Sequence, residues 1–340
     1  MLFCYSVFKR YSVFTLILCL VVACGSDKTR FLVRGKFQGF NQGELYFYGT
    51  HGTRQLDTVG VNKGEFLYRI PLEDTLTLIM VFPNQSELPI FAEPGAELKV
   101  EGDASHLLET KVKGTDDNEL MTAFRLRTAS MPPPQQTEEA EKFIRENPAT
   151  PVSIYLLDRH FIRIPQPDYN KASALAALIR EACPDNKAMA DLSRQLDVLK
   201  NLKKGSKLPS FTTVDIDGHN FSSADLYGKA NVISIWGSWN YESVRVQQDL
   251  LSLKKELGDK LRLLSICLDV NVKDCRRVMT RDSIFWPVVC DGRMWESPVI
   301  QKTGLSYLPD NILTDSKGRI VAVSLNNADL RNKIRELTEK

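Results

Sequence analysis

The 340-residue sequence contains no Cys-x-x-Cys, only four histidines and no surplus of either charge. Each shortage excludes something. With 44 Lys+Arg against 42 Asp+Glu the net charge is +2, so there is no basic footprint for nucleic acid. His51, His106, His160 and His219 share no ligand-type spacing, and the missing Cys-x-x-Cys removes both a zinc ribbon and a local redox dithiol. No metal and no cofactor is therefore expected. No cysteine occurs between Asn231 and Ile266, and no hydrophobic run is as long as a standard membrane-spanning helix.

The longest apolar run, Val13 to Ala23, follows Lys9 and Arg10 and ends at Cys24, the proportions of an export signal. Leu20 to Gly25 (L-V-V-A-C-G) resembles a bacterial lipobox. That resemblance implies removal of 1–23, acylation of Cys24, a tether over 24–30 and a protein held by lipid to a membrane of the cell envelope. The alternatives are a plain signal peptide with an incidental cysteine, or a short transmembrane anchor. Cys4 and Cys19 leave with the signal, so Cys183, Cys267, Cys275 and Cys290 are the remaining cysteines.

Residues 31–114 read as short β runs separated by glycine and asparagine turns: Phe31–Phe37, Glu44–Tyr48, Glu65–Ile70, Leu76–Phe82, Leu88–Ala92 and Glu97–Glu101, with Asn62-Lys63-Gly64 as a hairpin turn. This predicts a small antiparallel sandwich or barrel-like sheet. Residues 115–204 change to helical spacing, with a break at Pro132-Pro133-Pro134 and a helix from about Thr137. They form a helical connector, and Lys200 to Lys207 is a solvated joint. Residues 208–340 alternate strand and helix, then finish with a hairpin around Asp315-Ser316-Lys317-Gly318 and a last helix. The predicted architecture is an α/β C-terminal domain preceded by an all-β domain and a helical connector.

The C-terminal segment resembles the thioredoxin-like TlpA/ResA family and the related peroxide-reductase-like proteins. The carrying residues are L-P-S-F at Leu208, L-Y-G-K at Leu226, W-G-S-W-N-Y-E-S from Trp236 to Ser243, C-L-D at Cys267 and Y-L-P-D-N-I-L-T-D-S-K-G-R-I from Tyr307. In position and order, 31–114 resembles the β-rich domain of unassigned function that often precedes such domains in envelope lipoproteins. The family's turn is roughly W-A-S-W-C-x-x-C. Asn240 therefore stands where the attacking thiol belongs and Ser243 where the resolving thiol belongs. Neither supports thiol–disulfide exchange, which needs a thiolate. The resemblance also implies that Leu308-Pro309 is a cis-proline element facing the turn, with Trp236 and Trp239 flanking a groove for an extended peptide or envelope protein. The bland alternative makes these packing and turn residues.

Asn240 is also a good helix N-cap. Ser243 has no histidine or lysine nearby in sequence to activate it, so serine catalysis is disfavoured. One redox alternative remains: Cys267, Cys275 and Cys290 fall at a strand end, a helix start and another strand end, which a parallel sheet would place towards its carboxyl edge. They are either a displaced dithiol or buried small residues, with or without a structural disulfide. The expectation is a redox-inactive binding or scaffold module. The runner-up is a thiol–disulfide oxidoreductase working through the displaced cysteines.

Overall fold

The computed structural model describes residues 29–50, 56–164 and 167–339. The expected signal segment, Cys24 and His51 lie outside them. Three packed units follow one another along the chain.

Eight strands form the first unit: β1 (Arg30–Gln38), β2 (Gln42–Gly49), β3 (Asp57–Asn62), β4 (Glu65–Pro71), β5 (Leu76–Val81), β6 (Glu87–Ala92), β7 (Glu97–Asp103) and β8 (Lys111–Lys113). They make one sheet in the order β6-β5-β2-β3-β4-β1-β7-β8, antiparallel except for the parallel β1–β7 pair. Inward and outward residues alternate cleanly in β4, as a sheet buried on one face requires. The sheet is strongly curled. Phe37 of β1 packs edge-on against Phe82, just past β5, at 5.2 Å between ring centres, although three strands separate β1 from β5. The predicted Asn62-Lys63-Gly64 turn joins β3 to β4, with Lys63 and Gly64 both at positive φ (51° and 80°), the backbone of a two-residue hairpin turn. A Cβ on Gly64 would lie 2.4 Å from the Phe37 carbonyl oxygen, so glycine is required there on two counts.

The two open edges, β6 and β8, are closed by helix α1 (Asp116–Thr128). Asn118 accepts from the Phe91 N–H at 3.0 Å and donates to the Phe91 carbonyl at 2.7 Å. One turn later Thr122 accepts from the Val112 N–H at 3.1 Å and donates to its carbonyl at 3.2 Å. Buried polar side chains thus take over the ladder bonds that an uncovered edge would offer to another chain. The outcome is the barrel-like member of the predicted pair, completed by a helix.

The connector continues with α2 (Pro133–Glu146), α3 (Pro151–Leu157), a π turn over Asp158–Ile162, α4 (Tyr169–Ala182) and α5 (Lys187–Leu199). Helix α2 starts earlier than the expected Thr137, because Pro133 and Pro134 occupy its first positions, where no intrahelical N–H bond is lost. Phe124, Phe143, Ile144, Leu157, Leu175 and Leu192 share one buried core with Phe91. Arg163 holds the connector to the third unit: it pairs with Asp158 at 2.7 Å and with the buried Glu296 at 3.1 Å.

The third unit opens with a hairpin of β9 (Thr212–Val214) and β10 (Asn220–Ser222). Then come β11 (Ala230–Trp236), α6 (Tyr241–Leu257), β12 (Leu261–Cys267), α7 (Val272–Asp282), β13 (Val288–Val289), α8 (Pro298–Thr303), β14 (Asp310–Asp315), β15 (Ile320–Val323) and α9 (Asn327–Glu339). The sheet order is β13-β12-β11-β14-β15, with β11, β12 and β13 parallel and β14 and β15 antiparallel. Helices α6, α7 and α9 cover one face and α8 the other. The predicted α/β domain behind an all-β domain and helices is what the chain forms.

Candidate functional site

Strand β11 is buried on both faces, and its alternate residues divide between them. Ala230, Val232 and Trp236 point under α6, while Ile233 and Ile235 point under α8. Ser234, on the α6 side, is satisfied by a buried polar cluster. Gln247 Nε2 donates to Ser234 Oγ at 3.1 Å, Ser265 Oγ donates to Gln247 Oε1 at 2.7 Å, and Trp286 Nε1 donates to Ser265 Oγ at 2.8 Å. This fixes the strand from which the turn at 237–240 springs.

That turn is closed on itself. Asn240 is the N-cap of α6, its side-chain oxygen accepting from the Ser243 N–H at 2.8 Å. The Ser243 hydroxyl is fully buried. It accepts from the Gly237 N–H at 3.1 Å and lies 2.8 Å from the Asn240 carbonyl and 3.2 Å from that of Gly237. Ser238 N–H is held by Asp269 Oδ1 at 2.8 Å. Both positions that would carry thiols are spent on local backbone bonds: the Ser243 hydroxyl meets only backbone atoms among the described residues, and the nearby Asp269 carboxylate is engaged by the Ser238 N–H.

The two tryptophans of the turn have opposite fates. Trp236 is 0% exposed, at the centre of the core beneath α6 and α7, so it does not flank a groove as expected. Trp239 is 42% exposed and its neighbour Tyr241 76% exposed. Leu308-Pro309 is a cis peptide, and both residues are half-buried. Because Ile235 pairs with Asp310, Pro309 lies at the level of Trp236, beside the start of the turn.

Asp310, next to Pro309, was not singled out from the sequence. Its carboxylate accepts from Ser306 N–H at 3.0 Å, Asn311 N–H at 2.8 Å and Ser324 Oγ at 2.9 Å, yet burial outweighs these bonds and pushes its pKa up to about 6. An unfolded aspartate titrates near ~3.9, so between these values the native state holds the extra proton. Stability should therefore fall as pH rises from about 4 to about 6, by about 3 kcal/mol from this group. Chemical denaturation across that range checks this: Asp310→Asn should remove that part of the slope.

Cys267, Cys275 and Cys290 come together from three elements. Their Sγ atoms all lie within 4.8 Å of one another, and the residues are 3%, 0% and 7% exposed. Cys267 ends β12, beside Trp236 in register; Cys275 is near the start of α7; Cys290 follows β13. Burial, with hydrogen-bond sharing among the thiols, raises Cys267 well above the usual range. Cys275 is raised too: its bond with Cys267 lowers it, but its bond with Cys290 and its burial prevail. Cys290 is pulled the other way, below the usual thiol range, by bonds from Cys267 and Cys275 that outweigh the cost of burial. No two of the three are joined. Cys183 stands apart, its thiol donating to the Ala149 carbonyl at 3.3 Å. Sequence spacing found no metal-type cluster because its members are 8 and 15 residues apart and only the sheet brings them together.

A parallel β11-β12-β13 run with an antiparallel β14-β15 pair, a strand-to-helix turn and a proline beside it define a thioredoxin-like domain. Its relatives are thiol–disulfide oxidoreductases. Over 127 residues, 36% of this chain and 69% of the relative, the sequence is 24% identical to thiol-disulfide oxidoreductase ResA of Bacillus thuringiensis (strain Al Hakam), and equally to that of Bacillus anthracis. A solved thiol-disulfide oxidoreductase from Bacteroides fragilis NCTC 9343 is 26% identical, covering 39% of this chain and 99% of that one with a TM-score of 0.36. The thioredoxin domain of a Bacteroides vulgatus thiol-disulfide oxidoreductase is 24% identical, covering 40% and 99% with a TM-score of 0.37. Residues 31–121 match a family described as a domain of unknown function (DUF4369).

Proposed function

We propose that this chain is a lipid-anchored protein of the cell envelope whose thioredoxin-like domain binds extended polypeptide without passing electrons through the usual turn. The observation that carries this reading is the state of Asn240 and Ser243. Both are consumed as an N-cap and a buried hydroxyl bonded to Gly237, while Trp239 and Tyr241 present exposed aromatic surface at the turn. Exposed aromatic rings offer large, rigid contact area at low entropic cost, which suits a binding surface.

A photo-crosslinking residue at position 239, introduced in cells, should trap envelope polypeptides that the same residue at exposed Val214 does not. Trp239→Ala should weaken binding of a trapped segment by ~10-fold or more, as for a central aromatic contact. Identical adducts from positions 239 and 214 would contradict the reading. The anchor is tested separately: Cys24→Ala should abolish acyl labelling, and labelling that persists would remove the lipid from the account.

A further inference from the structure

The buried sulfurs are not used by the binding reading, and they share a location with two further features. The Cys275 thiol donates to the thioether of Met279, one helical turn on in α7, at 3.8 Å. Asp269, two residues beyond Cys267, keeps one carboxylate oxygen on Ser238, but among the described residues its buried Oδ2 meets no donor at ordinary hydrogen-bond geometry, only the influence of the Cys267 thiol. The Cys290 sulfur in turn lies 3.6 Å from the Asp269 carbonyl oxygen. A buried carboxylate oxygen without a partner is costly, and such a group in a native structure calls for an explanation.

We propose that Cys267, Cys275 and Cys290 form a binding site for one thiophilic closed-shell cation, Zn²⁺ or Cu⁺. The Asp269 carboxylate, which lies outside the three-sulfur cluster, would swing in as the fourth donor for Zn²⁺, and the Met279 thioether, already against Cys275, serves the softer Cu⁺. Soft sulfur donors without histidine select these ions over Mg²⁺, Ca²⁺ or Mn²⁺. The spacing fits. Zn–S bonds of about 2.3 Å set neighbouring sulfurs about 3.8 Å apart, so sulfurs already within 4.8 Å need close by no more than about 1 Å. A disulfide would instead draw two sulfurs to about 2.05 Å and leave the third idle. As the metal–sulfur bonds form, each thiol still protonated gives its proton to solvent. The bound ion would tie the end of β12, the first turns of α7 and the segment after β13 together beneath Trp236.

The test uses the full-length chain, metal-stripped, reduced with a phosphine and kept anaerobic. It is titrated with Zn²⁺ alone and with Cu⁺ alone against a chromophoric chelator. The expected result is one equivalent of either ion, with affinity lowered ~100-fold or more in Cys267→Ser and in Cys290→Ser. A variant in which Cys4, Cys19, Cys24 and Cys183 are all replaced by serine should still bind one equivalent. Asp269→Asn should weaken Zn²⁺ ~10-fold or more and spare Cu⁺, and Met279→Leu should do the reverse. Because a cysteine variant can lose its fold, the wild-type chain is also loaded with Co²⁺, and its cobalt–thiolate charge-transfer absorption is read directly. Failure of the wild type to bind a full equivalent, loss of binding in the four-serine variant, or absence of the thiolate band would overturn the proposal. So would a disulfide among the three cysteines in protein isolated from cells. None of these outcomes depends on whether Trp239 binds polypeptide.

Discussion

Trp236→Ala should destabilise the C-terminal domain by about 3 kcal/mol, the low end of the ~3–5 kcal/mol range for removing a buried tryptophan. The large term is the cavity. Trp236 is fully buried among Val246, Leu250, Cys267 and Cys275, on a strand covered on both faces, where little can collapse to fill the space. A smaller term acts the other way. Among the described residues the buried Trp236 indole N–H has no hydrogen-bond partner, so its removal relieves a desolvation penalty of ~1–3 kcal/mol. Chemical denaturation of the full chain measures the difference. The exposed Trp239→Ala should change stability by no more than ~0.5 kcal/mol. Similar losses from both substitutions would mean that the two rings do not have the separate roles given to them.

The second large effect is a gain. Asn240→Cys combined with Ser243→Cys should create dithiol-dependent reduction of a model protein disulfide, against an expected rate of zero for the unmodified turn. The replaced positions sit at the N-cap and in the first turn of the 17-residue helix α6, whose positive end favours a thiolate. A thiol there with a pKa near ~7 carries on the order of tenfold more thiolate at neutral pH than one near ~8.5. Loss of the Asn240 cap costs ~1 kcal/mol, which the domain should tolerate. A double variant that folds, as judged by cooperative denaturation, yet shows no turnover would mean that more than the two thiols has been lost from this turn.

Much of the fold is legible in the chain because its signals are local. The βα alternation after Leu208, the hairpin turns at Asp215 and Asp315 and the capping role of Asn240 all follow from neighbouring residues. The start of α2 at Pro133 was misplaced because proline breaks a helix in its interior but suits its first positions. Curling of the β sheet, with its parallel β1–β7 pair and closure by Asn118 and Thr122 of α1, depends on partners distant in sequence. The same limit governed the site. The spacing of the two tryptophans does not say that Trp236 ends a strand facing inward while Trp239 lies on an exposed turn. Nor does the spacing of Cys267, Cys275 and Cys290 reveal that three elements deliver them to one point, although the C-L-D tripeptide marked both the first sulfur and Asp269.

The central claim is that electrons do not pass through this thioredoxin-like domain. Its most direct test is reduction of a model protein disulfide by the full-length chain, supplied with dithiol, beside Cys275→Ser and Cys290→Ser. The account predicts a rate no different from dithiol alone for all three proteins. Turnover by the unmodified chain that disappears in either variant would contradict it and assign the chemistry to the displaced cysteines.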